Sequence, residues 1–280
     1  MKPWYHKVMF WDPPREIFTI PLIGRPVVWY GLLFAVGVWL GYQVALWRVT
    51  KLCGDKKRAA QLCERLAMHV IIGCVIGAKV GHVLFYEPWA LIKSDPLMLI
   101  RFWEEGLASH GAVIGIATGL AIFAKKIKIG ALAWIDVLAV PACIAGAFIR
   151  FGNFVNQEIL GIKCRLPWAV TFGHPIDGSM PVARHPVQLY EAFGYLAIGY
   201  LISYVWQKEN RQGFIAGLFF VCVFAFRFCM EFFKERQSAL LGDANLFTMG
   251  QYLSVPLIAV GIYLMRKAVR SGAKLHVAFD

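Results

Sequence analysis

Seven apolar stretches follow one another along the chain, at roughly 25–47, 68–92, 108–124, 131–150, 187–206, 213–233 and 250–265. Each is close to the about 17–25 residues that an α-helix needs to cross the hydrocarbon of a bilayer. No water satisfies the backbone there, so such stretches must bond their own N–H and C=O groups as helices. The expected fold is therefore an all-α polytopic membrane protein with about seven transmembrane helices. Composition agrees: the chain is 59% hydrophobic and 16% charged, with a mean hydropathy of +0.57, which is too apolar for an ordinary soluble domain. Residues 1–280 are read as one integral membrane domain. Within it, 151–186 carries Pro167, Pro175, Pro181 and Pro186 and the alternating run Trp168 to Phe172. A connection this long is usually functional, and it is expected to form a small outer cap with a short strand.

Orientation follows from where Lys and Arg accumulate in short loops. Arg48, Lys51, Lys56, Lys57, Arg58 and Arg65 fall in one connection, Lys125, Lys126 and Lys128 in another, Lys208 and Arg211 in a third, and Arg266, Lys267, Arg270 and Lys274 in the tail. These four segments are assigned to the inside, so the N-terminus lies outside and the C-terminus in the cytoplasm. The first twenty residues have no continuous apolar core, and no cleaved signal peptide is expected. The net charge of +12 suits anionic lipid and topology signalling alike. Seven cysteines form no C-x-x-C pair, so no disulfide framework or zinc site is implied, and no cofactor or nucleic-acid partner is expected.

Depth along the spans is more informative than count. Tyr30 falls in the outer third of the first, His110 begins the third, Arg150 ends the fourth, Glu191 begins the fifth, and Arg227 and Glu231 occupy the last turns of the sixth. Random snorkelling would populate both interfaces, whereas these groups gather at the outer one. Lys79 and His82 lie nearer the middle of the second span, and Asp136, toward the inner end of the fourth, is read as structural. Glycines spaced by four, Gly77 and Gly81 and then Gly111, Gly115 and Gly119, are read as packing positions that let two helices approach.

Two arginines in apolar spans are costly unless they face a cavity and meet an anion there. Arg150 and Arg227 together point to a phosphate, whose oxygens a guanidinium fork binds in pairs. The plainer alternative for Arg227 is an ion pair with Glu231, four residues on along the same helix face.

Residues 146–161, G-A-F-I-R-F-G-N-F-V-N-Q-E-I-L-G, resemble the G-R-x-G-N-F-x-N-x-E-x-x-G signature of the prolipoprotein diacylglyceryl transferases, with Arg150, Gly152, Asn153, Phe154, Asn156, Glu158 and Gly161 in register. Further blocks agree in order: Trp29-Tyr30-Gly31, Gly81 to Tyr86, His110-Gly111, Arg184 to Glu191, Arg227 to Lys234, and Gly250-Gln251 with Ser254 and Pro256. The chain departs from the family pattern at Lys79, where Arg is common, and at His82, Ser109, Ala112, Val223 and Phe224. The resemblance implies a seven-span enzyme of the bacterial inner membrane. Such an enzyme moves a diacylglyceryl group from phosphatidylglycerol to the lipobox cysteine thiol of a prolipoprotein signal peptide, with its site toward the outer face.

For that chemistry Arg150 and Arg227 are expected to hold the lipid phosphate, where charge grows as the bond breaks. A thiol ionises near pH 8.5, so His110 is the expected base, unless it only bonds the helix end. Asn153, Asn156 and Glu158 either position headgroup hydroxyls or fix the turn, and Gly161 is expected among the substrate-binding residues. Glu191 and Glu231 hold the arginines in register, and Lys79 supplies a further cation. His185 either orients its loop or is a turn residue, and Tyr30 either contacts substrate or anchors the interface. The competing class is a seven-helix transporter or receptor for an anionic solute. Against it, the chain has no related halves and residues 250–265 contain no lysine for a retinal Schiff base.

Overall fold

The computed structural model describes residues 8–21, 24–88, 94–101, 108–235 and 247–275. Among these, short strands β1 (Met9–Trp11), β2 (Glu16–Ile20) and β3 (Arg25–Val28) lead into α1 (Trp29–Cys53) and α2 (Lys56–Tyr86). A 3-10 turn at Pro96–Leu99 precedes α3 (Ser109–Lys126) and α4 (Ala131–Val155), and then come β4 (Val170–Phe172) and β5 (Ala183–Arg184). The chain continues through α5 (Val187–Trp206), α6 (Phe214–Met230) with a 3-10 turn at Glu231–Phe233, and α7 (Met249–Ser271). Each apolar stretch picked out in the sequence overlaps one of these helices, although 25–28 is strand β3 and not helix, and 89–92 lies outside the described residues.

The protein is mostly helical, and among the described residues five helical segments are long and apolar enough to cross a membrane: Trp29–Cys53, Lys56–Tyr86, Ala131–Val155, Phe214–Phe233 and Met249–Ser271. The other two helices fall short because they carry polar residues. Helix α3 carries His110 in its first turn and ends in Lys125 and Lys126, and α5 contains Gln188, Glu191 and four tyrosines.

Packing divides the chain into two compact units, one drawn from Met1–Val44 with Leu138–Leu275 and one centred on Ala45–Val137. In the second, Asp55 caps α2 by accepting from the Lys57 amide at 2.8 Å. Helices α2 and α3 pack backbone to backbone along the expected glycines. A Cβ on Gly77 would lie 2.3 Å from the Gly111 carbonyl oxygen, and one on Gly115 would lie 1.9 Å from that of Gly73. Asp136 is fully buried, and its backbone carbonyl accepts from Arg48.

In the first unit, Ala139, Val140 and Cys143 of α4 pack on Ile202 of α5 and Ile215 of α6. Helix α4 runs beyond its expected end at Arg150, so Phe151–Val155 belong to the helix and not to the connection. The rest of that connection contains the anticipated strand, β4, which pairs antiparallel with β5 and parallel with β1. The β1 partnership was not visible in the sequence: three residues near the N-terminus, Met9–Trp11, complete a sheet whose other strands lie some 160 residues on. Phe154, Leu160, Val170 and Phe172 form the core beneath, with Trp11 packed against it and its indole donating to the Phe154 carbonyl at 3.1 Å. Fully burying one such aromatic is worth about 1.5–3 kcal/mol, enough to pin a short strand.

Candidate active site

Helix α4 carries Arg150 in its last two turns, α5 carries Glu191 in its first, and α6 ends with Arg227 just ahead of Glu231 and Lys234. These five side chains form one row of alternating charge. Arg150 Nε lies 2.9 Å from Glu191 Oε2, and Glu191 Oε1 lies 2.7 Å from Lys234 Nζ. Lys234 Nζ is also 3.1 Å from Glu231 Oε1, which stands 3.9 Å from Arg227 Nη2. The Glu191 carboxylate is completely buried, and its contacts are close ion pairs without the alignment of hydrogen bonds. Glu191 and Lys234 are buried and the other three charges partly so, which is tolerable because each anion stands between two cations. Glu231 is braced further by the Thr248 hydroxyl, which donates to Oε2 at 2.9 Å.

The row leaves the guanidiniums unequal. Arg150 is 13% exposed and also donates through Nη1 to Asn153 Oδ1 at 3.1 Å. Arg227 is 33% exposed and, among the described residues, has a long ion pair to Glu231 and acts electrostatically on Tyr195, neither of which occupies most of its fork. The i, i+4 pair that stood as the plainer reading is present, yet it is too long to occupy the guanidinium.

Beyond Arg150 the polar side chains continue inward from the loop. Asn153, nearly buried, donates to Glu158 Oε1 at 2.8 Å, Asn156 donates to the same oxygen at 3.4 Å, and Gln188 donates to the Glu158 carbonyl at 2.7 Å. Gln157 and Ile159, on either side of Glu158, both have φ of 56°. Left-handed backbone is strained for these side chains, and such strain persists only where surrounding bonds over-determine it. The Tyr30 ring packs over Gly152, where a Cβ would come within 2.7 Å of it, and both Glu158 and Arg150 act electrostatically on its hydroxyl. Buried Tyr195 of α5 lies in the field of Glu191, Arg150 and Arg227.

Gly161 pairs with Lys234 as an isolated antiparallel bridge, and a Cβ there would lie 2.3 Å from the His185 carbonyl oxygen. His185 sits half-buried against Phe233 at 5.3 Å, with Nδ1 3.3 Å from the Tyr190 hydroxyl. That hydroxyl accepts from the Trp168 indole at 2.8 Å. The arrangement makes His185 part of an aromatic wall beside the bridge.

Arg150, Arg227, Glu191, Glu231, Asn153, Glu158, Tyr30, Gly161 and His185 thus all fall in the first unit. Lys79, His82 and His110 belong to the other. Lys79 is 2% exposed on α2, beside the Ala78 carbonyl that accepts the Ala108 amide at 2.9 Å. His82 Nε2 is 3.2 Å from Glu87 and its ring stacks on Tyr86. His110 is exposed at the start of α3, with its ring against Phe85 at 5.1 Å and Tyr86 at 5.8 Å. Its nitrogens have no hydrogen-bond partner among the described residues.

Sequence reasoning missed Lys234 as a site residue, where it stood only as the last position of the Arg227 to Lys234 block. Its spacing of three from Glu231 was the available signal, since i, i+3 places both on one face. Thr248 and Tyr195 carried no comparable mark.

The family model for prolipoprotein diacylglyceryl transferase matches residues 17–267. A phosphatidylglycerol–prolipoprotein diacylglyceryl transferase of Tolumonas auensis is 38% identical over 270 residues, covering 95% of this chain and all of the relative. Proteins of the same name from Chlamydia trachomatis serovar D and Protochlamydia amoebophila are 37% and 32% identical, over 91% and 92% of this chain and 96% and 94% of theirs. With matched residues that run from β2 into α7 and take in the whole charged row, the chain belongs to the prolipoprotein diacylglyceryl transferase family.

Proposed function

We propose that the protein transfers the diacylglyceryl group of phosphatidylglycerol to the lipobox cysteine of a prolipoprotein, forming a thioether and releasing glycerol 1-phosphate. The observation that carries the reading is the charged row Arg150–Glu191–Lys234–Glu231–Arg227, buried at Glu191 and Lys234, which gives two guanidiniums from separate helices to one assembly. The relatives are named for this activity. None is named as a transporter or receptor, so that alternative has no support.

In the reaction the cysteine sulfur attacks the glyceryl carbon bonded to the phosphate ester oxygen. The S–C bond forms, the C–O bond breaks, and its electron pair stays on the phosphate as the thiol proton leaves. A phosphodiester thereby becomes a monoester with additional negative charge. Cations fixed in place before reaction stabilise that growing charge without reorganising. Arg227, with its open fork, and Arg150, held by Glu191 and Asn153, are the phosphate-binding pair, and Lys79 adds a cation that binds lipid. Asn153 and Glu158 meet the glycerol hydroxyls, Tyr30 and His185 line the substrate, and Gly161 keeps the loop close. His110 takes the thiol proton, its imidazole being exposed at the start of α3 and of the type that most often serves as a general base.

The protein is expected to span the bacterial inner membrane seven times, α3 and α5 included, with residues of the 151–186 connection as a periplasmic cap. The N-terminus is periplasmic and the C-terminus cytoplasmic, as the basic connections require. Incubation of the purified protein with phosphatidylglycerol and a lipobox peptide tests the activity. A peptide mass increased by one diacylglyceryl group, with glycerol phosphate in solution, is the expected result, and an unmodified peptide would contradict it.

A further inference from the structure

The lysine in the charged row has a different environment from the arginines. Its side chain is 6% exposed, and its ammonium lies 2.7 Å from Glu191 and 3.1 Å from Glu231, each of which is the partner of one arginine. We propose that Lys234 is the positioning residue that sets the separation of Arg150 and Arg227, by holding two carboxylates together that would otherwise repel. The proposal rests on the reading of those arginines as the phosphate-binding pair.

The backbone is arranged to keep this ammonium in place. After the 3-10 turn the chain straightens at Lys234, with φ −90° and ψ 145°. On either side it is bonded to the cap: the Ile162 amide donates to the Phe233 carbonyl at 2.9 Å, and the Glu235 amide donates to the Leu160 carbonyl at 3.0 Å. Arg184, buried, donates to the Gly161 carbonyl at 3.2 Å and also pairs with Glu235. The Lys234 backbone is thus clamped against Gly161, and the glycine is required because a Cβ would collide with the His185 carbonyl. Gly161 therefore acts at a distance from the phosphate, through the lysine it seats.

Without the ammonium, the fully buried Glu191 would face Glu231 with no cation between them. Buried like charges in contact cannot both persist, so one carboxylate protonates or swings away and its arginine moves with it. Arginine in place of lysine keeps the charge; a methionine keeps the bulk and removes it.

The test compares full-length wild type, Lys234→Met, Lys234→Arg, Glu231→Gln and the double variant Lys234→Met/Glu231→Gln on phosphatidylglycerol and a lipobox peptide. Lys234→Met is expected to lower kcat/KM for the lipid by about 100-fold, the loss that a misplacement of about 1 Å brings. KM for the lipid should rise and KM for the peptide should not. Lys234→Arg should recover most of the loss, and the double variant should exceed Lys234→Met because one of the repelling charges is gone. Lys234→Met activity equal to wild type would overturn the proposal. So would a fall in kcat with both KM values unchanged and no recovery in the arginine or double variant, since that pattern is loss of folded enzyme. Arg150→Ala in parallel separates the two ideas: full activity there removes the phosphate reading itself, whatever Lys234 does.

Discussion

At the residue scale, the site combines groups that differ in how firmly they are held. Among the described residues Arg150 is held by Glu191, Asn153 and Tyr195, while Arg227 has only a distant ion pair with Glu231, so the second guanidinium has more donors left for an incoming anion. His110, exposed and without a hydrogen-bond partner among the described residues, is the group whose role pH reports best. A peptide thiol ionises unaided near pH 8.5. His110→Asn should therefore slow transfer most at the low end of the working pH range, with the deficit shrinking as pH approaches about 8.5. A ratio of wild-type to variant rate that stays constant across pH would leave His110 a purely structural role. The arginines were legible in the sequence because a charge inside an apolar run stands out. Lys234 was not, because it follows the run and looks like any interfacial base, and only the pairing of Gly161 with Lys234 turns it inward.

At the scale of elements, the helices were readable from hydrophobic length and the small β elements largely were not. Strand β4 showed its alternation, but β1 is three residues whose partner lies far along the chain, and no local pattern announces such a pairing. The end of α4 was misjudged because Phe151–Val155 look like loop once Arg150 is taken as a boundary, although their backbone remains helical. The glycine spacing marked α2 and α3 as helices able to pack closely, and the structure shows that they do so against each other. Gly115→Val should break it, lowering stability in detergent by at least about 1–3 kcal/mol, while Gly31→Ala, with nothing nearer than 3.7 Å to the added carbon, should not. Equal melting temperatures for the two would contradict the packing account.

The link between Asp12, next to β1, and the connection between α4 and α5 offers a pH test. Hydrogen bonds from His174 and then Gln157 hold the Asp12 carboxyl below its ordinary value of 3.8. A lowered carboxylate stabilises the fold above its unfolded-state value and ceases to do so as pH falls through its folded-state value. Asp12→Asn should melt earlier than wild type at neutral pH, and the gap should close below about pH 3.8. A gap that persists in acid would mean that the pair contributes by shape and not by charge.

For the whole molecule, the distribution of basic residues determines which side each connection faces. Met180, 77% exposed between β4 and β5, should be on the periplasmic side, and Lys208, just after α5, in the cytoplasm. Cysteine placed at Met180 should react with a membrane-impermeant maleimide in intact spheroplasts, above the background of the native thiols, and cysteine at Lys208 should react only after lysis. The opposite pattern would invert the topology.

The central claim is that Arg150 and Arg227 together hold the phosphate of one lipid during transfer. The most direct measurement is turnover by purified Arg150→Ala and Arg227→Ala proteins on phosphatidylglycerol and a lipobox peptide, followed by the mass of the thiol adduct. Each alanine variant should remain folded and lose activity by about 100-fold or more, with lysine at either position restoring only part. Turnover by either alanine variant comparable to wild type would contradict the account.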